Sequence, residues 1–133
     1  MRGSILLGEG FSAEGRVRLS SASVGGNLEC QKGKFFNEEG GSLSEPGAKV
    51  GGDVMLCNDF EARGTVNLYA IRIGRNLDCH RAKFTTQGGR SIDLERADIT
   101  GYVYLRDKCE SKGTVNLFGT KLGGTSTVKM VDL

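Results

Sequence analysis

The sequence predicts an all-β protein, a right-handed parallel β-helix (solenoid) of about five coils of 23–26 residues. Three observations predict it. Sliding the 133-residue chain against itself by 49 aligns residues 3–51 with 52–100 without a gap, at 16 identities. A third copy runs from Gly101 to about Gly124. Within each copy the apolar residues come in pairs with one residue between them, which marks a strand with one buried face. Finally, 21 glycines against 1 proline suit many tight corners between short strands.

The pairs fall into three series. Ile5/Leu7, Leu28/Cys30, Val54/Leu56, Leu77/Cys79 and Val103/Leu105 recur at alternating spacings of 23 and 26. Val17/Leu19, Leu43, Val66/Leu68, Ile92/Leu94 and Val115/Leu117 form the second series, and Ala22/Val24, Ala48/Val50, Ile71/Ile73, Ala97/Ile99 and Leu122 the third. Between the first two runs a column of Phe11, Phe35, Phe60 and Phe84, with Cys109 in fifth place. No stretch sustains a 3.6-residue apolar stripe, so helices are not expected. Strands this short bury their inner faces only by stacking coil on coil, and parallel crossovers default to the right hand. The whole chain, 1–133, is therefore one solenoid domain, with 125–133 as a C-terminal cap or tail.

Every second coil carries three extra residues, one before the Phe and two after it. They are expected as Gly-rich loops, Phe36–Ser42 and Thr85–Ser91, stacked as a ridge on one side. By alternation Cys30 and Cys79 face inward as small core fillers. Two rungs separate them by roughly 10 Å, too far for a disulfide, which needs Cα atoms within about 7 Å. Cys57, one position past Leu56, is expected to face out as the oxidisable thiol. Four unpaired thiols suit a reducing compartment, so the expected location is cytoplasmic.

Read through Ala48-Lys-Val50-Gly-Gly-Asp-Val54-Met-Leu56 and Phe60-Glu-Ala-Arg-Gly-Thr-Val66-Asn-Leu68, the repeat resembles the pentapeptide-like, right-handed β-helical repeats of bacteria. The likeness covers residues 3 to about 124. It implies a structural motif that brings no catalytic residue, and a setting within larger, membrane-associated proteins. The chain itself has no apolar run near the roughly 18–20 residues that span a bilayer.

The formal charge of +2 argues against a strong polyanion binder and against an acidic DNA mimic. The candidate binding surface is a basic corner of Lys32, Lys34, Arg81, Lys83, Arg106 and Lys108, suited to an anionic or protein partner. No aromatic is interleaved with these cations, so nucleic-acid bases have nothing to stack on. An alternative is a carbohydrate-active enzyme using outward carboxylates, Asp53 flanked by Glu29 and Asp78 on neighbouring rungs. His80 is the only histidine. Cys79 points inward while His80 starts the corner, and no second ligand pair has zinc-like spacing, so neither metal, cofactor nor catalytic residue is expected.

The leading expectation is a non-enzymatic scaffold or binding module. An open sheet edge invites pairing. The first strand begins almost at the chain start, leaving no residues for a cap, so a homodimer is expected through Ile5, Leu7 and Phe11.

Overall fold

The computed structural model describes residues 3–8, 11–15, 17–19, 21–44, 47–105, 110–116, 118–122 and 128–130. The first coil holds β1 (Ile5–Leu6), β2 (Ser12–Glu14), β3 (Val17–Arg18) and β4 (Ser23–Val24). The second holds β5 (Leu28–Glu29), β6 (Lys34–Ser44) and β7 (Lys49–Val50), and the third β8 (Val54–Met55), β9 (Glu61–Asn67) and β10 (Arg72–Ile73). Next come β11 (Leu77–Asp78), β12 (Lys83–Asp93) and β13 (Asp98–Ile99). The last are β14 (Val103–Leu105), β15 (Glu110–Asn116), β16 (Lys121–Leu122) and β17 (Val128–Met130).

These strands form three parallel sheets, ordered β1-β5-β8-β11-β14-β17, β4-β7-β10-β13-β16 and β2-β6-β9-β12-β15, with β3 also on β6. The fold is all-β, without helix among the described residues, and amounts to about four solenoid turns rather than five. Residues 23 or 26 apart become neighbours: Leu28 lies beside Val54, and Val54 beside Leu77. The tail adds a strand to the first sheet. Val128 lies beside Val103, so a spacing of 23, which would put Ser126 there, is exceeded by two residues.

The three inner faces meet in one core. Leu28, Cys30, Leu43, Val54, Leu56, Val66, Leu77, Cys79 and Ile92 are all fully buried within it. Three cysteines are described, Cys30, Cys57 and Cys79, and all are free thiols. The phenylalanine column is present: ring centroids lie 5.4 Å apart for Phe11–Phe35, 5.3 Å for Phe35–Phe60 and 5.6 Å for Phe60–Phe84. Cys109, expected fifth in that column, lies outside the described residues.

The rings line up although their backbones do not. Phe35 and Phe84 sit in register with Ala62, not with Phe60. The column thus draws alternately on a corner residue (Phe11, Phe60) and a strand residue (Phe35, Phe84). This corrects where the extra residues go. The chain takes seven steps from Phe36 to Leu43 but three from Arg63 to Val66, so four residues bulge out of β6. The same bulge recurs between Thr85 and Ile92 in β12. FNEEGGS and TTQGGRS are therefore bulges inside long strands of one sheet, not loops between strands. Strand hydrogen bonding on both sides keeps the backbone extended and leaves a bulge as the way to absorb surplus residues.

Two corners repeat a left-handed backbone conformation. One passes through Ser21 (φ 58°), Gly47 (72°), Ala70 (56°), Arg96 (59°) and Gly119 (69°). The other passes through Lys32 (62°), Asn58 (49°), Asp59 (70°) and Arg81 (58°). An L-residue with a Cβ pays roughly 1–2 kcal/mol there. The first corner relieves that cost with glycine at two of its five positions, Gly47 and Gly119. Among the described residues the second has only charged or amide side chains.

Candidate functional site

The second left-handed corner carries the site. Parallel bonding continues through it: Lys32 N–H donates to Cys57 O at 3.4 Å, Asn58 N–H to His80 O at 3.0 Å and Asp59 N–H to Arg81 O at 2.9 Å. Neighbouring coils thus deliver Lys32, Asn58 and Arg81 to one line. A groove of about 710 Å³ runs along it, between Lys32 and Arg81, over Asn58 and Asp59, with Leu6, Glu29 and Gln31 completing the wall.

The six expected cations divide. Lys32 and Arg81 are exposed and line the groove. Lys34 and Lys83 lie on the adjoining sheet, and the rung between them is occupied by Glu61, with Glu110 following Lys83. That column alternates in sign, so its fields largely cancel within a Debye length of about 10 Å. Arg106 and Lys108 lie outside the described residues.

The three acids fall in two columns. Glu29 and Asp78 face outward on the first sheet with Met55 between them, two rungs apart. Asp53 belongs to a different column, a ladder of side chains that accept the backbone N–H of the next coil. Asn27 N–H donates to Ser4 Oγ at 2.9 Å, Asp53 N–H to Asn27 Oδ1 at 2.8 Å and Asn76 N–H to Asp53 Oδ1 at 2.9 Å. Tyr102 N–H completes it, donating to Asn76 Oδ1 at 2.8 Å. This corner turns on glycine in each coil, Gly25-Gly26, Gly51-Gly52, Gly74 and Gly101, and the ladder satisfies amides that the sheet does not reach. Asp53→Asn keeps an acceptor and is expected to change unfolding free energy by less than ~0.5 kcal/mol. Asp53→Ala strands the Asn76 N–H and costs about 1–3 kcal/mol in chemical denaturation. Equal losses in both variants would contradict the ladder.

Cys57 corrects the expectation of a reactive outward thiol. It points away from the apolar core cluster, yet none of its surface is exposed. Burial first, then the Asp78 and Glu29 carboxylates, push its thiol up to about 12. The reagent-reactive species is the thiolate. Cys57 is therefore expected to label slowly at neutral pH, and so are Cys30 and Cys79, buried in the core. Rapid modification of any of the three in the native chain would overturn these placements.

His80 is a half-buried corner residue, with Asp78 Oδ1 at 2.6 Å from Nδ1 and Asn58 Oδ1 at 2.9 Å from Nε2. Cys79, as expected, diverges into the core. The cysteine near His80 is Cys57, from the preceding coil. Sequence reading missed this pair by comparing neighbours in the chain. The signal was the spacing of 23 from Cys57 to His80, the same as from Leu56 to Cys79.

At the first coil Ile5, Leu7 and Phe11 are half-buried against the core, and Leu6 is 68% exposed. Among the described residues β1, β2 and β4 each end their sheets.

Fold and site together define a parallel β-solenoid with a grooved, charged corner. Comparison with protein-family models, with curated proteins and with solved structures returns no match for this chain.

Proposed function

We propose that the chain is a non-enzymatic scaffold that presents a rigid surface to a protein partner, with the left-handed corner groove as its binding face. One observation carries this. Lys32 and Arg81 occupy strained backbone positions where glycine is cheaper, and there they frame the groove. Strain of this kind is kept where a side chain has a task. Glu29 and Asp59 share the groove, so a bare polyanion meets repulsion beside attraction. A protein segment with a carboxylate next to an aliphatic side chain fits better, its apolar part against Leu6 and its acid between the two cations. The use of Asp53 as a backbone acceptor speaks for binding over carbohydrate chemistry. The likeness to bacterial pentapeptide-like repeats, a structural motif, speaks the same way.

Selection from a random peptide display library tests this reading. Enriched peptides should pair an acidic with an aliphatic residue and lose at least tenfold in affinity for the Lys32→Glu/Arg81→Glu variant. Peptides that bind that variant unchanged would refute the groove. Polysaccharide cleavage abolished by Asp53→Asn would refute the non-enzymatic reading.

The same proposal includes self-association through Ile5, Leu7 and Phe11, two first coils meeting about a two-fold axis. Sedimentation at micromolar concentration should show a dimer that Leu6→Pro breaks. A monomer with an ordered first strand counts against it.

A further inference from the structure

We propose that Cys57, Asp78 and His80, brought together from two adjacent coils, form a binding site for a thiophilic divalent cation, zinc(II) being the ion their chemistry fits. The ladder of β8 and β11 pairs Val54 with Leu77 and Met55 with Asp78, and two further residues bring Cys57 beside His80. One donor atom from each of the three side chains lies within 4.8 Å of the other two. A tetrahedral zinc ion, with bonds of about 2.0–2.3 Å, holds its donors roughly 3.3–3.6 Å apart. Side-chain rotations of about an ångström reach that geometry, and they open the 2.6 Å contact between Asp78 and His80. The backbone beneath is already fixed, by Leu56 N–H to Asp78 O at 2.8 Å and Asn58 N–H to His80 O at 3.0 Å.

The surroundings are those of a ligand set. Asn58 Oδ1 lies 2.9 Å from Nε2 of His80, and Asp78 Oδ1 lies 2.6 Å from Nδ1. A separation of 2.6 Å is a hydrogen-bond distance, and the two atoms would move apart to about 3.3 Å to share a metal ion. A hydrogen bond on the far ring nitrogen is how metal-bound imidazoles are oriented. A thiolate, an imidazole and a carboxylate suit zinc and its neighbours rather than magnesium or calcium.

Cys57 is fully buried yet lies outside the hydrophobic core cluster. A thiol coordinated to a dication ionises outright. On binding, the thiol proton, and any proton between Asp78 and His80, leave to solvent. Three protein donors leave the fourth position for water.

Cobalt(II), a coloured stand-in for zinc, tests the site in the full chain after chelator treatment. One equivalent should produce a thiolate-to-cobalt charge-transfer band, and zinc should bleach it. Cys57→Ser should abolish the band. His80→Gln and Asp78→Asn, at half-buried positions, should each weaken cobalt binding at least tenfold while circular dichroism stays native. Failure of the wild-type chain to develop the band, or its survival in Cys57→Ser, overturns the proposal. So does unchanged affinity in a folded His80→Gln chain, which remains decisive should the Cys57 variant not fold.

Discussion

Phe60→Ala is expected to lower unfolding free energy by about 3–5 kcal/mol, as core aromatic truncations do. The ring is fully buried and has a phenylalanine on both sides, at 5.3 and 5.6 Å. Truncation removes two ring contacts and opens a cavity between coils whose spacing is fixed by backbone hydrogen bonds, so the walls cannot close on it. Phe11→Ala should cost less than half as much, because Phe11 is half-buried and stacks on a single described ring. Urea unfolding monitored by circular dichroism measures both. A loss below ~1 kcal/mol for Phe60→Ala would show that the column carries no core packing.

Gly74→Ala is the second large expected effect, about 1–3 kcal/mol, from overpacking. A methyl at Gly74 would fall inside van der Waals contact with the backbone carbonyl oxygen of Gly51 in the coil before. Neither strand can give way. Gly74 N–H donates to Val50 O and Gly51 N–H to Val24 O, both at 2.8 Å. Gly3→Ala is the control, since a Cβ there meets nothing within 4 Å, and should change stability by less than ~0.5 kcal/mol. Equal effects at the two positions would show that the corner is not closely stacked.

The glycines at this corner were visible in the chain, and so were the inward series, because periodicity reports which face a residue takes. Leu28, Val54 and Leu77 were expected in one column and are there. What periodicity does not report is how neighbouring coils slide past each other. Phe35 and Phe60 match as letters, yet Phe35 pairs with Ala62, because a bulge shifts the register without moving the ring. Cys57 shows the same limit on the outer face. Its direction could be read from Leu56, but its burial depends on side chains from coils 23 and 26 residues away. Lys34 and Lys83 looked like part of one basic stack until Glu61, between them in register, was placed.

Every site described above depends on residues 23 or 26 apart lying on adjacent rungs. The exposed column of Lys49, Arg72 and Asp98 tests that directly, since Arg72 pairs with Lys49 on one side and Asp98 on the other. Neighbouring Cα atoms about 4.8 Å apart fit a disulfide, whereas atoms two rungs apart, at roughly 10 Å, do not. Under mild oxidation the Lys49→Cys/Arg72→Cys chain should cross-link within the monomer, and the Lys49→Cys/Asp98→Cys chain should stay reduced. Cross-linking of the second pair but not the first would contradict the stacking and, with it, both the groove and the Cys57–His80 pairing.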